Sequence, residues 1–184
     1  MQNIPPWVQK ARQGWRYYGQ ERPGFADKPT AGQESVWDYP RPPRLAADSR
    51  EVIVRWGALE VARTTQAIRV LETAHPPGFY LPLNDVARHL LRREPGSSFC
   101  EWKGPASYWS LVDGDHCLAN VGWSYPRPFE GAEALADRIA FYAAPLDCEV
   151  GGLKVTAQPG GFYGGWITAD LAGPFKGAPG SGNW

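Results

Sequence analysis

The chain reads as a mainly β protein of compact antiparallel sheets with one or two short helices, and three observations predict it. Apolar and polar residues alternate at period two in several separate runs. The 21 glycines and 18 prolines among 184 residues punctuate those runs with turns and leave little room for long helices. Aromatic residues, which suit pleated and half-buried surfaces, make up 13% of the chain.

Residues 1–36 scatter Trp7, Trp15, Tyr17, Tyr18 and Phe25 among Pro, Gly, Gln and Lys without a sustained period. That predicts an extended arm, and its aromatic content predicts docking on the main body, because free linkers are aromatic-poor. Pro40, Pro42 and Pro43 force an extended path from which Arg41 and Arg44 project. Val52, Val54 and Trp56, a turn at Gly57-Ala58, and Leu59, Val61 and Arg63 make a hairpin. In the next strand Ile68, Val70 and Glu72 share one face, with Arg69 and Leu71 on the other. His75-Pro76-Pro77-Gly78 breaks it and Phe79-Tyr80-Leu81 resumes it. Asn84 or Asp85 is placed to cap a short helix burying Leu83, Val86, Leu90 and Leu91.

After Glu94-Pro95-Gly96 comes the clearest hairpin. Ser107, Trp109 and Leu111 alternate with Tyr108, Ser110 and Val112; Asp113-Gly114-Asp115 turns; Cys117, Ala119, Val121, Trp123 and Tyr125 form one face of the return strand, which makes Cys117 a core residue. A helical turn near Glu133–Asp137, a strand at Ile139–Tyr142 and a last strand or pair over Cys148–Ala157 complete the core. The Gly- and Pro-rich remainder carries Trp166, Phe175 and Trp184 and is expected to wrap on the body. The organisation predicted is one domain over 1–184, with a core at 37–157, an arm at 1–36 and a tail at 158–184.

Nineteen basic residues balance nineteen acidic ones, so no net field draws the chain to nucleic acid or an anionic membrane. Three widely spaced cysteines suit a reducing compartment. No apolar run approaches a membrane span, and Met1–Trp7 lacks the basic end and apolar stretch of a signal peptide. A soluble, cytoplasmic protein is expected.

Phe99-Cys100-Glu101-Trp102-Lys103-Gly104-Pro105-Ala106-Ser107-Tyr108-Trp109 concentrates aromatics, a thiol, a carboxylate and an ammonium in one connection. Trp37-Asp38-Tyr39-Pro40-Arg41-Pro42 is echoed by Trp123-Ser124-Tyr125-Pro126-Arg127-Pro128, and these three pieces are expected to wall one aromatic cleft. Glu72, ending an apolar face, needs a cationic partner, either Lys103 or an arginine. The expected ligand-binding set is Arg44, Tyr80, Tyr108, Trp109, Trp123, Tyr125 and Arg127, with cations gripping an anion between flat apolar walls. If the site is catalytic, Glu72 is the acid or base and Cys100 or Lys103 the nucleophile. Asp113-Gly114-Asp115 is better a hairpin turn than a magnesium site. No Cys-x-x-Cys pair marks a zinc site and no glycine-rich P-loop is present, so neither metal nor cofactor is predicted.

The blocks Trp37-x-Tyr-Pro-Arg-Pro-Pro-Arg44, Arg69-Val70-Leu71-Glu72-x-x-His75-Pro76-Pro77-x-x-Tyr80-Leu81-Pro82, Cys100-x-Trp102-Lys103-Gly104-x-x-x-Tyr108-Trp109 and Trp123-Ser124-Tyr125-Pro126 resemble domain-of-unknown-function family 427, also labelled nucleotidyltransferase-like. The flanking arm and the Gly-Gly-Phe-Tyr-Gly-Gly-Trp166 tail look like a longer subgroup. The resemblance implies a mainly β fold similar to the Mss4-like, or β-tent, group. The function expected is binding of a small anionic or nucleotide-like ligand in the aromatic cleft. The alternatives are an enzyme, either nucleotidyltransferase-like or with a Cys or Lys nucleophile, and an interaction module that grips a protein partner with arm and tail.

Overall fold

The computed structural model describes residues 5–184; residues 1–4, the start of the expected arm, lie outside the described residues. The arm is not extended throughout. It opens with a helix, α1 (Pro6–Gln13), whose Pro6 sits where the missing N–H goes unneeded. Val8 is its only buried residue, so no apolar period existed to read.

The strands follow as β1 (Glu34–Ser35), β2 (Arg44–Asp48), β3 (Val52–Trp56), β4 (Leu59–Thr64), β5 (Ala67–Leu71), β6 (Gly78–Pro82), β7 (Leu91–Cys100), β8 (Gly104–Asp113), β9 (His116–Ser124), β10 (Arg138–Phe141), β11 (Asp147–Val150), β12 (Leu153–Lys154), β13 (Thr156–Ala157), β14 (Trp166–Ile167) and β15 (Leu171–Ala172). The mainly β expectation holds. A seven-stranded antiparallel sheet runs β2-β5-β6-β10-β9-β8-β7 and a four-stranded one runs β12-β11-β3-β4. Two short pairs, β1 with β15 and β13 with β14, stand apart from these sheets.

Period-two alternation decides what each face of the large sheet does. Phe79 and Leu81 of β6 and Ile139 and Phe141 of β10 join Val52, Val54, Val61 and Val150 of the smaller sheet in the main core, which Trp166 completes. The residues between them, Tyr80 and Ala140, fall on the opposite face with Val70, Ala106, Trp123 and Tyr125. Such an outer face is commonly solvated in antiparallel sheets. Here arm and tail cover it, tied down by a third cluster in which Trp37, Tyr39 and Leu71 meet Tyr17, Phe175 and Trp184. The rings of Phe25, Trp37 and Trp184 lie 5.2 Å apart in each pairing.

Three local expectations give way. Leu83–Asp85 and Arg88–Leu90 are single 3-10 turns and not a capped helix, because the Asp85 carboxylate accepts the Thr64 hydroxyl and caps nothing. Glu94-Pro95-Gly96 does not end the pairing: β7 continues along β8 across a register shift between Arg93 and Ser97, where a bulge absorbs the proline. Cys117 is exposed beside the turn at Gly114, 3.2 Å from an Arg92 nitrogen, because residues 113–117 form an exposed hairpin tip.

Candidate active site

The covered face of the large sheet lines a cavity of about 320 Å³ that opens to solvent on one side. Its floor is assembled by strand parity. Val70 of β5 carries the outward face to Glu72, Tyr80 of β6 and Trp123 of β9 stand beside it, and Trp123 Nε1 donates to the Tyr80 hydroxyl at 3.0 Å. Cys100 and Lys103 enter from the β7–β8 turn, where Gly104 at φ 96 lets the chain reverse. The roof comes from elsewhere in the sequence: Trp15 from the arm, and Gln158 and the strap Phe162-Tyr163-Gly164-Gly165 from the tail. Side chains at Gly164 or Gly165 would run into the Trp123 ring or the Pro76 carbonyl, so glycine is what lets the strap lie flat.

Of the residues singled out from sequence, Glu72, Cys100, Lys103, Tyr80, Tyr108, Trp123 and Tyr125 line this cavity together. Three do not. Trp109 follows Tyr108 on β8 and therefore faces the other way, packed against the main core with its Nε1 donating to Ser124 Oγ at 2.9 Å. Arg44 is exposed on edge strand β2; its neighbour Leu45 takes the position on the cavity-face cluster. Arg127 is exposed on the loop after β9. The two hexapeptides thus serve different ends: Trp37 anchors the arm, while Trp123 and Tyr125 line the cavity.

Arg41, expected to project, is 4% exposed. Its Nε lies 3.1 Å from Glu72 Oε1, and its other nitrogens donate to the carbonyls of Tyr17 at 2.8 Å and Thr73 at 3.0 Å. Burial alone pushes the Glu72 carboxyl up; His75, Lys103 and Arg41, with the Arg41 hydrogen bond, overcome that and hold it below its ordinary value. Burial works against the Lys103 ammonium as well, yet Cys100, Tyr80 and Glu72 outweigh it and Lys103 is raised. Lys103 is held as a cation at neutral pH. Tyr80 is pushed up to about 12, mainly by burial, and Tyr125 well above the usual phenol range for the same reason, so both hydroxyls remain donors.

Four residues that close the site were not among the expected ligand contacts. The Trp15 indole has the Arg41 guanidinium 4.2 Å from its ring on one contact and Lys176 Nζ at 4.8 Å on another, and its Nε1 donates to Glu101 Oε1 at 2.9 Å. Lys176 is 1% exposed and donates to the carbonyls of Ser181 and Gly182, both at 2.8 Å. Burial first, then Arg41, pulls its pKa down to about 8 against the opposing pull of Glu72, which leaves it charged at neutral pH. Gln158 and Tyr163 fix His75: Tyr163 packs edge-on at 4.7 Å. No spacing in the sequence signals these partners, because each comes from a segment without periodicity.

The state of His75 follows from Gln158. Its Oε1 accepts the Gly165 N–H at 2.9 Å, so its Nε2 must be the atom that faces the Lys176 carbonyl at 2.8 Å and His75 Nδ1 at 3.0 Å. Nδ1 therefore accepts, and the neutral ring carries its proton on Nε2. Burial, helped by Arg41, Lys103 and Lys176, lowers the His75 pKa from 6.5 to about 4 despite Glu72. Between those values the unfolded chain binds more protons than the folded one, so stability falls as pH drops from 6.5 toward 4. The expected slope is at most about 1.4 kcal/mol per pH unit. Urea unfolding between pH 6.5 and 5, above the carboxylate range, checks it: His75→Asn is expected to flatten the slope.

The three thiols are spread between cavity, surface and core. Among the described residues no group of His, Cys, Asp and Glu is placed to hold a metal ion, and no helix is long and apolar enough to cross a membrane. No curated protein matches the chain. Residues 44–152 match the model of a family described as Domain of unknown function (DUF427), a span that includes Glu72, His75, Tyr80, Cys100, Lys103, Tyr108, Trp123 and Tyr125 and stops short of the roof. The chain belongs to the DUF427 family.

Proposed function

We propose that the cavity binds a small monoanionic ligand, with Lys103 as its anchor. One observation carries this reading: Arg41, Lys103 and Lys176 are three cations at or directly behind the cavity wall, against the two carboxylates Glu72 and Glu101, with His75 neutral. One positive charge is left over in a hollow walled by rings, and a bound anion complements it. The volume, about 320 Å³, lies in the range of small-molecule sites. The Tyr80 and Tyr125 hydroxyls and the His75 Nε2–H supply neutral donors for the ligand's oxygens.

Calorimetric titration of the full chain with benzoate and with benzamide tests this. Benzoate is expected to bind one to one and benzamide, the same shape without the charge, at least tenfold more weakly. Equal binding of the two, or none by either, overturns the reading.

A second reading, an enzyme with a Cys100 nucleophile, is favoured by Cys100 and Lys103 lining the same cavity from one turn. An ammonium beside a sulfur is the setting in which cysteines attack electrophiles. The chain supplies its own reference, because Cys117 is exposed and Cys148 buried. Iodoacetamide at neutral pH, with peptide mapping by mass spectrometry, is expected to label Cys100 faster than Cys117. Labelling no faster than at Cys117 removes the covalent reading.

A further inference from the structure

We infer that the ligand is an acid with a second, uncharged acceptor, a carbonyl oxygen in the simplest case, which takes the His75 Nε2–H, and that Gln158 is the positioning residue that sets this preference. The acid group rests on the monoanion reading; the carbonyl goes beyond it and names the ligand class as small oxo acids. His75 lies inside the family span and Gln158 outside it, so a tail residue fixes what a core residue recognises.

A neutral imidazole has one N–H and one bare nitrogen, so a partner that claims either nitrogen decides both. Gln158 makes that decision for His75. Its Oε1 accepts the Gly165 N–H at 2.9 Å, and its Nε2 donates to the Lys176 carbonyl at 2.8 Å and to His75 Nδ1 at 3.0 Å. Turning the amide over would set oxygen against the Lys176 carbonyl and N–H against the Gly165 N–H, so its orientation is held from two sides. Tyr163, edge-on at 4.7 Å, holds the ring itself. The lowered pKa, about 4, keeps that ring neutral at physiological pH.

His75 Nε2 bonds to no other side chain or backbone group among the described residues. The buried side-chain nitrogens and oxygens left without a partner there are Arg69 Nε and Trp102 Nε1, so His75 Nε2 is open to the space its ring borders, which is the cavity. A tyrosine hydroxyl can turn to donate or to accept and so tolerates either kind of ligand group. His75 can only donate. A carbonyl meets that proton, whereas an alkyl group of the same shape leaves it without an acceptor. The surplus positive charge is single and the acid group answers it, so the acceptor at His75 is uncharged.

The experiment compares oxo acids with their alkyl isosteres by calorimetry: pyruvate with isobutyrate, 3-acetylbenzoate with 3-isopropylbenzoate, and 4-acetylbenzoate with 4-isopropylbenzoate. The pairs set the carbonyl at different spacings from the carboxylate. The full chain and the variants His75→Phe and Gln158→Glu are used, each variant first checked for a cooperative thermal transition. In the native chain at least one oxo acid is expected to bind about threefold or more tightly than its isostere, as a neutral hydrogen bond allows. His75→Phe keeps a ring without the donor and is expected to bring that ratio to about one. Gln158→Glu places a carboxylate that accepts from both Gly165 and His75 Nδ1; it is expected to move the proton to Nδ1 and abolish the preference with His75 still present. Heteronuclear NMR of the ring nitrogens reads the proton directly, and a merely structural Gln158 would not move it. Acid binding by the native chain without an oxo preference, a native ring protonated on Nδ1, or a preference that survives in His75→Phe overturns the inference and spares the monoanion reading. No binding of any acid overturns both.

Discussion

Replacing Lys103 by methionine is expected to weaken binding of a small acid by about 10- to 150-fold, the range given by hydrogen bonds to charged groups of about 1.5–3 kcal/mol. The substitution keeps the apolar stem, which passes within 5.8 Å of the Tyr125 ring at its charged end, and removes only the cation. With it gone, Arg41 and Lys176 balance Glu72 and Glu101, and no net positive charge is left to attract an anion. Thermal stability is expected to change far less than affinity, because Lys103 is only half-buried and Glu72 keeps Arg41. Titration with benzoate, alongside a melting curve, checks both halves. A variant that binds benzoate as well as the native chain contradicts the role given to Lys103.

Arg41→Ala is expected to destabilise the fold by about 3–5 kcal/mol, the cost of stripping one partner from a buried pair. Three bonds go at once: those to Glu72, to the Tyr17 carbonyl and to the Thr73 carbonyl, all made by a guanidinium whose side chain is fully buried. Trp15 also loses the cation 4.2 Å from its ring, so arm and floor are released together. The paired variant Arg41→Met with Glu72→Gln removes both charges and is expected to recover a large part of the loss, because the main cost lies in the carboxylate left alone. Urea unfolding of the single and paired variants decides it. A loss below about 1 kcal/mol for Arg41→Ala, the level of an exposed pair, contradicts the burial argument.

The sequence disclosed the floor of the site and not its roof, and the difference has a physical origin. Alternation along β5, β6 and β9 is local, so Glu72, Tyr80, Trp123 and Tyr125 could be put on one face from neighbours alone. The same rule, applied strictly, forbids Tyr108 and Trp109 from lining one cavity; a strand gives its face to only one of two adjacent residues. The need of Glu72 for a cation was legible from desolvation, but the choice of Arg41 over Lys103 was not. The prolines around Arg41 describe an extended path without saying whether that path is covered. The roof depends on contacts between residues far apart in the chain, such as Trp15 with Glu101 and His75 with Gln158. In α1 one buried valine gave no period, and the hairpin tip that exposes Cys117 breaks no local pattern.

A crystal of the full chain grown with 4-bromobenzoate tests the central claim most directly, because bromine scatters anomalously and marks its own position. The account predicts one dominant bromine peak inside the cavity between Trp15 and the floor, with the carboxylate within hydrogen-bond range of Lys103 Nζ. A fully occupied bromine site on the outer surface with the cavity holding only water, or a carboxylate turned away from Lys103, would contradict it.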